Sequence, residues 1–268
     1  MTTRISEKFR ELKSKGEVAL IPYIRAGDPD LNTTGELIAE IERSGADMIE
    51  LGVPFSDPLA DGPTIQRAAI RALSGKVNLG DVIKLVENTR KRSDIPIILM
   101  LYYNLVHKYG ERRFVRDAVK AGVDGAIIPD LPPDEAKTLI AEAASAGLDL
   151  IFLLAPTSSP DRMRLVDRSS GGFIYYVSLT GVTGARDSLD AGIEAQVARI
   201  RKISKKPVCI GFGISGPEQA RKVARWADGV IVGSAIVGLM ERASGKAGMV
   251  REVGSFVRGM KDAVTTRE

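Results

Sequence analysis

The sequence predicts an α/β protein built as one closed (β/α)8 barrel (a TIM barrel), with an extra N-terminal helix and a short extra helix before the last helix. Three observations carry this. Eight short apolar segments are each followed by a stretch of helical periodicity, and one more helical stretch stands in front. The apolar segments are continuous rather than alternating, as in parallel strands covered on both faces. All of this fits within 268 residues, the size of a closed barrel. An open doubly wound sheet usually has fewer strands and a glycine-rich turn after the first. Here the first strand runs into Tyr23-Ile24-Arg25-Ala26-Gly27-Asp28, with no G-x-G-x-x-G. No low-complexity linker interrupts the series, so residues 1–268 are read as a single domain.

Ile5, Phe9 and Leu12 fall at helical spacing over residues 5–14, and Lys15-Gly16 stops that helix. Residues 18–24 form a short apolar strand closed by the turn Gly27-Asp28-Pro29. Leu31, Leu37, Ile38 and Ile41 mark a helix over 31–44; Met48, Ile49, Leu51 and Val53 mark the second strand, 48–53. Two helices follow, at 64–74 and 79–92, then a strand at 95–101. Helix 111–121 leads to strand 125–128, helix 134–146 to strand 148–154, and helix 161–168 to strand 173–177. Helix 192–203 leads to strand 207–210 and helix 217–226 to strand 229–232. Helices 234–241 and 248–260 close the chain. Three similar turns, Ser44-Gly45-Ala46-Asp47, Ala121-Gly122-Val123-Asp124-Gly125 and Trp226-Ala227-Asp228-Gly229, return a helix to a strand and read as structural punctuation at the bottom of the barrel.

Composition excludes several functions. With 44% hydrophobic, 27% charged and only 5% aromatic residues, the chain is an ordinary globular one with an aliphatic core. Its net charge of +4 is spread over turns and helix ends, without the aromatic-interleaved basic stripe of a nucleic-acid binder. The single cysteine, Cys209, rules out an internal disulfide and a Cys-rich zinc site; in the apolar run 207–210 it reads as a small core residue. The single histidine, His107, rules out a multi-histidine metal centre, and beside Lys108 and Tyr109 it reads as a solvated turn residue. No metal site is expected. The N-terminus lacks a signal-peptide core, and no apolar run approaches the ~18–20 residues of a membrane span. A cytoplasmic protein with neither membrane nor nucleic-acid partner is expected.

One stretch breaks the apolar pattern. Glu50 lies inside the strand 48–53, and the loop behind it carries Pro54, Pro58, Asp61 and Pro63. A carboxylate in an apolar strand must be paired or shift its pKa, and three prolines stiffen the loop. In a barrel the active site lies at the C-terminal ends of the strands. That rule gathers Tyr23, Glu50, Asp61, Tyr102, Tyr175, Phe212, Gly213, Gly233 and Ser234 into one ring. The glycine segments 179–186, 211–215 and 232–236 follow the last strands, where this fold commonly binds phosphate. The first of them also has the form of a lid. Physical reasoning alone reaches a phosphorylated small molecule, a carboxylate proton shuttle and no evident cofactor.

The run Glu50-Leu51-Gly52-Val53-Pro54-Phe55-Ser56-Asp57-Pro58-Leu59-Ala60-Asp61-Gly62-Pro63-Thr64-Ile65-Gln66 resembles the signature of the tryptophan synthase alpha subunit family. Further matches run the length of the chain, among them Pro129-Asp130-Leu131-Pro132, Leu154-Ala155-Pro156-Thr157 and Gly211-Phe212-Gly213-Ile214-Ser215. The resemblance implies a lyase of tryptophan biosynthesis, which splits indole-3-glycerol phosphate into indole and glyceraldehyde 3-phosphate by a retro-aldol step. It implies Glu50 as the proton shuttle and Asp61 as the acid facing the indole N–H. It places Gly184, Gly213, Gly233 and Ser234 on the phosphate. It puts Tyr23, Ile65, Met100, Tyr102, Ile127, Tyr175 and Phe212 around the indole, with Thr183 of the lid helping to order Asp61. It also implies a partner: a beta subunit carrying pyridoxal phosphate (PLP), joined in an α2β2 heterotetramer and touched by Pro54 and Asp57. The cofactor belongs to that partner and none to this chain. One residue departs from the family pattern: Arg25 stands where a small threonine is typical, free to pair with Asp61, with Asp28 or with solvent. Two other readings stay open at this level, another phosphate-binding barrel isomerase or epimerase, and a non-catalytic activator of a beta-type partner.

Overall fold

A computed structural model describes residues 2–177, 186–211 and 213–265, with backbone alone for 186–191. The elements are α1 (Arg4–Lys15), β1 (Ala19–Arg25), α2 (Leu31–Arg43), β2 (Ile49–Gly52), α3 (Pro63–Ser74), α4 (Leu79–Thr89), β3 (Ile97–Met100), α5 (Tyr103–Tyr109), α6 (Glu111–Ala121) and β4 (Gly125–Ile127). Then come α7 (Lys137–Ala146), β5 (Asp149–Ile151), β6 (Leu153–Leu154), α8 (Pro160–Ser169), β7 (Ile174–Val177), α9 (Arg186–Ile203), β8 (Val208–Gly211), α10 (Pro217–Ala224), β9 (Gly229–Val232), α11 (Ser234–Arg242) and α12 (Gly245–Thr265).

The strands are parallel and run in the order β5-β4-β3-β2-β1-β9-β8-β7-β6. The two ends of that order, β5 and β6, are consecutive in the chain and parted only by Phe152. They are one predicted strand, 148–154, interrupted in the middle. The first half pairs with β4 and the second with β7, so the ring closes at Phe152. The expected eight-stranded barrel is therefore present, with its fifth strand split.

Alternation along each strand divides the core in two. Leu20, Ile24, Ile49, Leu51, Ile97 and Leu99 pack outward among the helices. Ile21, Ile98, Ile127, Ile151, Cys209 and Ile231 fill the barrel. The N-terminal helix plugs the bottom: Ile5, Phe9 and Leu12 join the inner cluster, and Phe9 meets Phe173 edge to face at 5.7 Å. Thr3 caps this helix in a reciprocal box with Ser6. At the other end of the chain, α12 packs against α2, and a Cβ at Gly254 would lie 2.3 Å from the Glu40 carboxylate.

The three repeated bottom turns share one bonding scheme. Asp47 accepts from Leu20 N–H at 2.8 Å, Asp124 from Ile97 N–H at 2.8 Å, and Asp228 from Val208 N–H at 2.9 Å. Each aspartate lies just before one strand and ties down the start of its neighbour. Each also meets a cation: Lys261, Arg90 and Arg201 respectively. The recurring Gly-x-Asp and Ala-Asp turns are thus the lower seam of the barrel.

Some elements differ from the sequence reading. Residues 103–109 form α5, where no helix was expected. His107 lies in the last turn of that helix, its ring 5.8 Å from that of Tyr103, rather than in a turn. The helix is two turns long, too short to show a helical period. The last helix spans Gly245–Thr265 rather than 248–260; glycines dilute its pattern, while Met249, Val253, Val257, Met260 and Val264 bury one face.

The seam aspartates differ in exposure, which gives a test. The side chains of Asp124 and Arg90 are 4% and 11% exposed, whereas those of Asp228 and Arg201 are 40% and 48% exposed. Asp124→Ala should lower the unfolding free energy by about 3–5 kcal/mol, because it leaves a buried arginine uncompensated. Asp228→Ala should lower it by only about 1–2 kcal/mol. Parallel urea unfolding checks the order; equal losses would contradict the seam as described.

Candidate active site

The mouth of the barrel is set by β1 and β2. Tyr23 pairs in register with Glu50, and Glu50 with Ile98 of β3. Because Ile49 and Leu51 face the helices, strand alternation turns Glu50 into the barrel. Glu50 is 1% exposed, and its Oε2 has no hydrogen-bond partner among the described residues. Burial, reinforced by the negative charge of Asp61 and opposed by Arg25, pushes its pKa up from 4.5 to about 8. Burial thus favours the protonated form of this carboxyl.

Asp61 is held differently. Arg25, 2% exposed, donates from Nη2 to Asp61 Oδ2 at 2.6 Å and from Nη1 to the Val53 carbonyl at 2.8 Å. The other candidate partner, Asp28, is taken by Arg71, whose Nε and Nη2 donate to its two oxygens at 2.8 and 2.7 Å. The prolines do not act alone in fixing the loop. The Tyr102 hydroxyl accepts from Ala60 N–H at 2.9 Å, its ring stacks on Phe55 at 5.1 Å, and Gln66 Nε2 donates to the Asp61 carbonyl.

Two tyrosines form the floor. Tyr23 and Tyr175 are both buried, and burial raises the pKa of each hydroxyl. Each lies over a glycine on the next strand. A Cβ at Gly52 would come within 2.2 Å of the Tyr23 hydroxyl, and one at Gly211 within 2.3 Å of the Tyr175 hydroxyl. Across the mouth, Ser234 opens α11 behind Gly233, and among the described residues no side chain caps that helix start. Its N–H groups and the helix dipole suit an anion.

A cavity of about 290 Å³ lies between these groups. Of the residues predicted from sequence, Glu50, Asp61, Tyr23, Ile65, Met100, Tyr175, Gly213, Gly233 and Ser234 line it. Tyr102 and Ile127 do not: Tyr102 braces the loop, and Ile127 lies deeper, in the inner cluster with Ile98 and Ile151. Thr183, Gly184 and Phe212 lie outside the described residues. On the loop, Pro54 is buried and Asp57 exposed, so of these two Asp57 is the one a partner can reach. Sequence reasoning missed Leu59, 90% exposed on the same loop, and the lining residues Thr64, Ile214 and Ile231. For Leu59 a signal existed, an apolar residue between Pro58 and Ala60 in a loop. Among the described residues no group of His, Cys, Asp and Glu side chains is arranged to hold a metal ion, and no helix is long and apolar enough to cross a membrane.

A parallel barrel with a protonated buried carboxyl facing an ion-paired one, and an open helix start across the cavity, defines a class: barrel enzymes that move protons on a phosphorylated small molecule. The family model described as "Tryptophan synthase alpha chain" matches residues 9–265. Proteins named tryptophan synthase alpha chain from Citrifermentans bemidjiense and Geotalea uraniireducens are 51% and 52% identical, each over 98% of this chain and 98% of the relative. The crystal structure of tryptophan synthase subunit alpha from Legionella pneumophila superposes with a TM-score of 0.92 at 39% identity, covering 98% of this chain and 99% of that one. A chain in the structure of Mycobacterium tuberculosis tryptophan synthase gives 0.90 at 37% identity over the full length of both. The chain belongs to the tryptophan synthase alpha chain family. This is a lyase family of tryptophan biosynthesis that cleaves indole-3-glycerol phosphate and works with a beta subunit.

The Glu50 pKa carries a stability prediction. Its folded value of about 8 lies above the unfolded 4.5. The neutral buried carboxyl therefore contributes fully below pH 4.5, and its contribution is lost as pH rises towards 8. Glu50→Gln cannot ionise and escapes that loss. The melting temperature of the variant should rise relative to the parent between pH 5 and pH 8. A difference that stays flat across this range would refute the raised value.

Proposed function

We propose that this chain cleaves indole-3-glycerol phosphate with Glu50 as proton shuttle and Asp61 as electrostatic partner. The observation that supports it best is the contrast between the two carboxyls, one neutral and without a partner at Oε2 among the described residues, the other held by Arg25. Glu50 donates its proton to indole C3. The ring becomes an indoleninium cation whose N–H faces the Asp61 carboxylate, which lowers the barrier by opposing the new charge. The Glu50 carboxylate then takes the proton of the glycerol hydroxyl on the carbon attached to C3. The C–C bond breaks and its electron pair returns to the ring. Indole and the aldehyde, glyceraldehyde 3-phosphate, leave, and Glu50 has its proton back.

Ile65, Met100, Tyr23 and Tyr175 supply an apolar bed for the indole, together with Phe212. Gly213, Gly233 and Ser234, with Gly184, take the phosphate at the start of α11. Thr183, outside the described residues, helps to order Asp61. Tyr102 and Ile127 support the bed from behind. The partner is a beta subunit in an α2β2 assembly, which receives indole and brings its own pyridoxal phosphate, so this chain needs no cofactor. The loop between β2 and α3 meets it through Asp57 and Leu59, with Pro54 as the rigid base of the loop. The chain acts as one domain and works in the cytoplasm.

Glu50→Gln keeps the shape but carries no transferable proton. Indole release should fall by at least ~10³-fold, while the substrate still binds with KM or Kd within a few-fold of the parent. Indole release by the parent and by this variant, with and without a beta subunit, checks the assignment. Turnover retained by Glu50→Gln would sink the shuttle role. No turnover by the parent would favour a non-catalytic activator.

A further inference from the structure

Arg25 takes no part in the chemistry above, yet it is buried in the mouth and touches both ends of one loop. We propose that Arg25 is a positioning residue for the cleavage: its guanidinium pins the loop between β2 and α3 at Val53 and at Asp61, and so presets the Asp61 carboxylate before substrate enters. The proposal rests on the role given to Asp61 above.

Three observations carry it. The first is reach. Val53 directly follows β2, and Asp61 lies two residues before α3, so the two bonds of Arg25 clamp both ends of the connection. A planar fork with fixed N–H directions can do this; a single ammonium cannot hold the same two acceptors in the same geometry. The second is rigidity at the base. Arg25 ends β1, where Ala26 N–H donates to Gly52 O at 2.9 Å, and Val53 N–H donates to Met100 O at 2.8 Å. Its guanidinium carbon lies 5.6 Å from the centre of the Tyr23 ring. The clamp is thus mounted on the barrel itself.

The third is exclusion of water. The two paired side chains are 2% and 6% exposed, so solvent screens the contact far less than it does a surface pair. The bond runs to Oδ2, leaving Oδ1 outside the pair. A merely structural arginine could equally have served Asp28, but Arg71 holds that carboxylate with two bonds. Arg25 is dedicated to the functional loop.

The test is steady-state cleavage of indole-3-glycerol phosphate by the full chain, using Arg25→Gln, Arg25→Lys, Asp61→Asn and the corresponding double variants. Asp61→Asn should lower kcat by about 100-fold or more. Arg25→Gln should lower kcat by about 10- to 30-fold with KM within about threefold, since the groups that bind substrate remain and only Asp61 is misplaced. Arg25→Lys should recover part of that loss. Adding Arg25→Gln to Asp61→Asn should cost less than about twofold more, because the clamp then holds no carboxylate. Independent, multiplying losses would overturn the proposal, as would Arg25→Gln turning over at the parent rate or raising KM alone. If Arg25→Gln does not fold, judged by its circular-dichroism melt, the same cycle run with Arg25→Lys decides. A parent that releases no indole would instead overturn the proposed activity, and the role of Arg25 with it.

Discussion

A carboxyl buried among apolar strands is the constraint on which the site depends. The strands are apolar because both faces of a parallel barrel are covered, and a polar side chain placed among them must be neutral or paired. Glu50 takes the first course and Asp61 the second. The difference comes from one step of strand alternation. Ile49 and Leu51 turn outward into the helix layer, so the residue between them turns into the barrel, beside Tyr23 and Ile98. No cleft had to be carved for this acid; the register of β2 places it.

The two ends of the barrel treat polar groups in opposite ways. At the bottom, Asp47, Asp124 and Asp228 each accept a strand N–H and meet a cation, and the seam they form is satisfied. At the mouth, three buried side-chain atoms have no partner among the described residues: Tyr23 Oη, Arg25 Nε and Glu50 Oε2. Unsatisfied buried polar atoms are rare in folded proteins, and their gathering in one place marks the end built for a ligand rather than for stability.

Much of this was legible in the sequence, for identifiable reasons. The bounds of 111–121 and 229–232 match the structure residue for residue, since glycine ends the first and both have strong apolar patterns. Glu50 was visible as a charge in an apolar run, and Gly213, Gly233 and Ser234 of the glycine segments do line the cavity. What stayed hidden depended on contacts distant in sequence. Nothing in Tyr23-Ile24-Arg25-Ala26-Gly27-Asp28 says that Arg25 reaches 36 residues ahead to Asp61 while Arg71 claims Asp28. Nor does the run 148–154 reveal its break at Phe152, which closure of the ring imposes. The recurring bottom turns were read as punctuation; their shared hydrogen-bond scheme needed the neighbouring strand to appear.

The floor of the cavity is moulded by what two positions lack. Tyr23 and Tyr175 reach across to Gly52 and Gly211, which leave them room, and these are the final residues of β2 and β8. Depth is therefore written into strand backbone, where any added side chain would displace a ring that lines the cavity. A barrel of this kind can become shallower by a single methyl group at either glycine. It can become deeper only by giving up a tyrosine. A larger aromatic would thus require losing part of the floor itself.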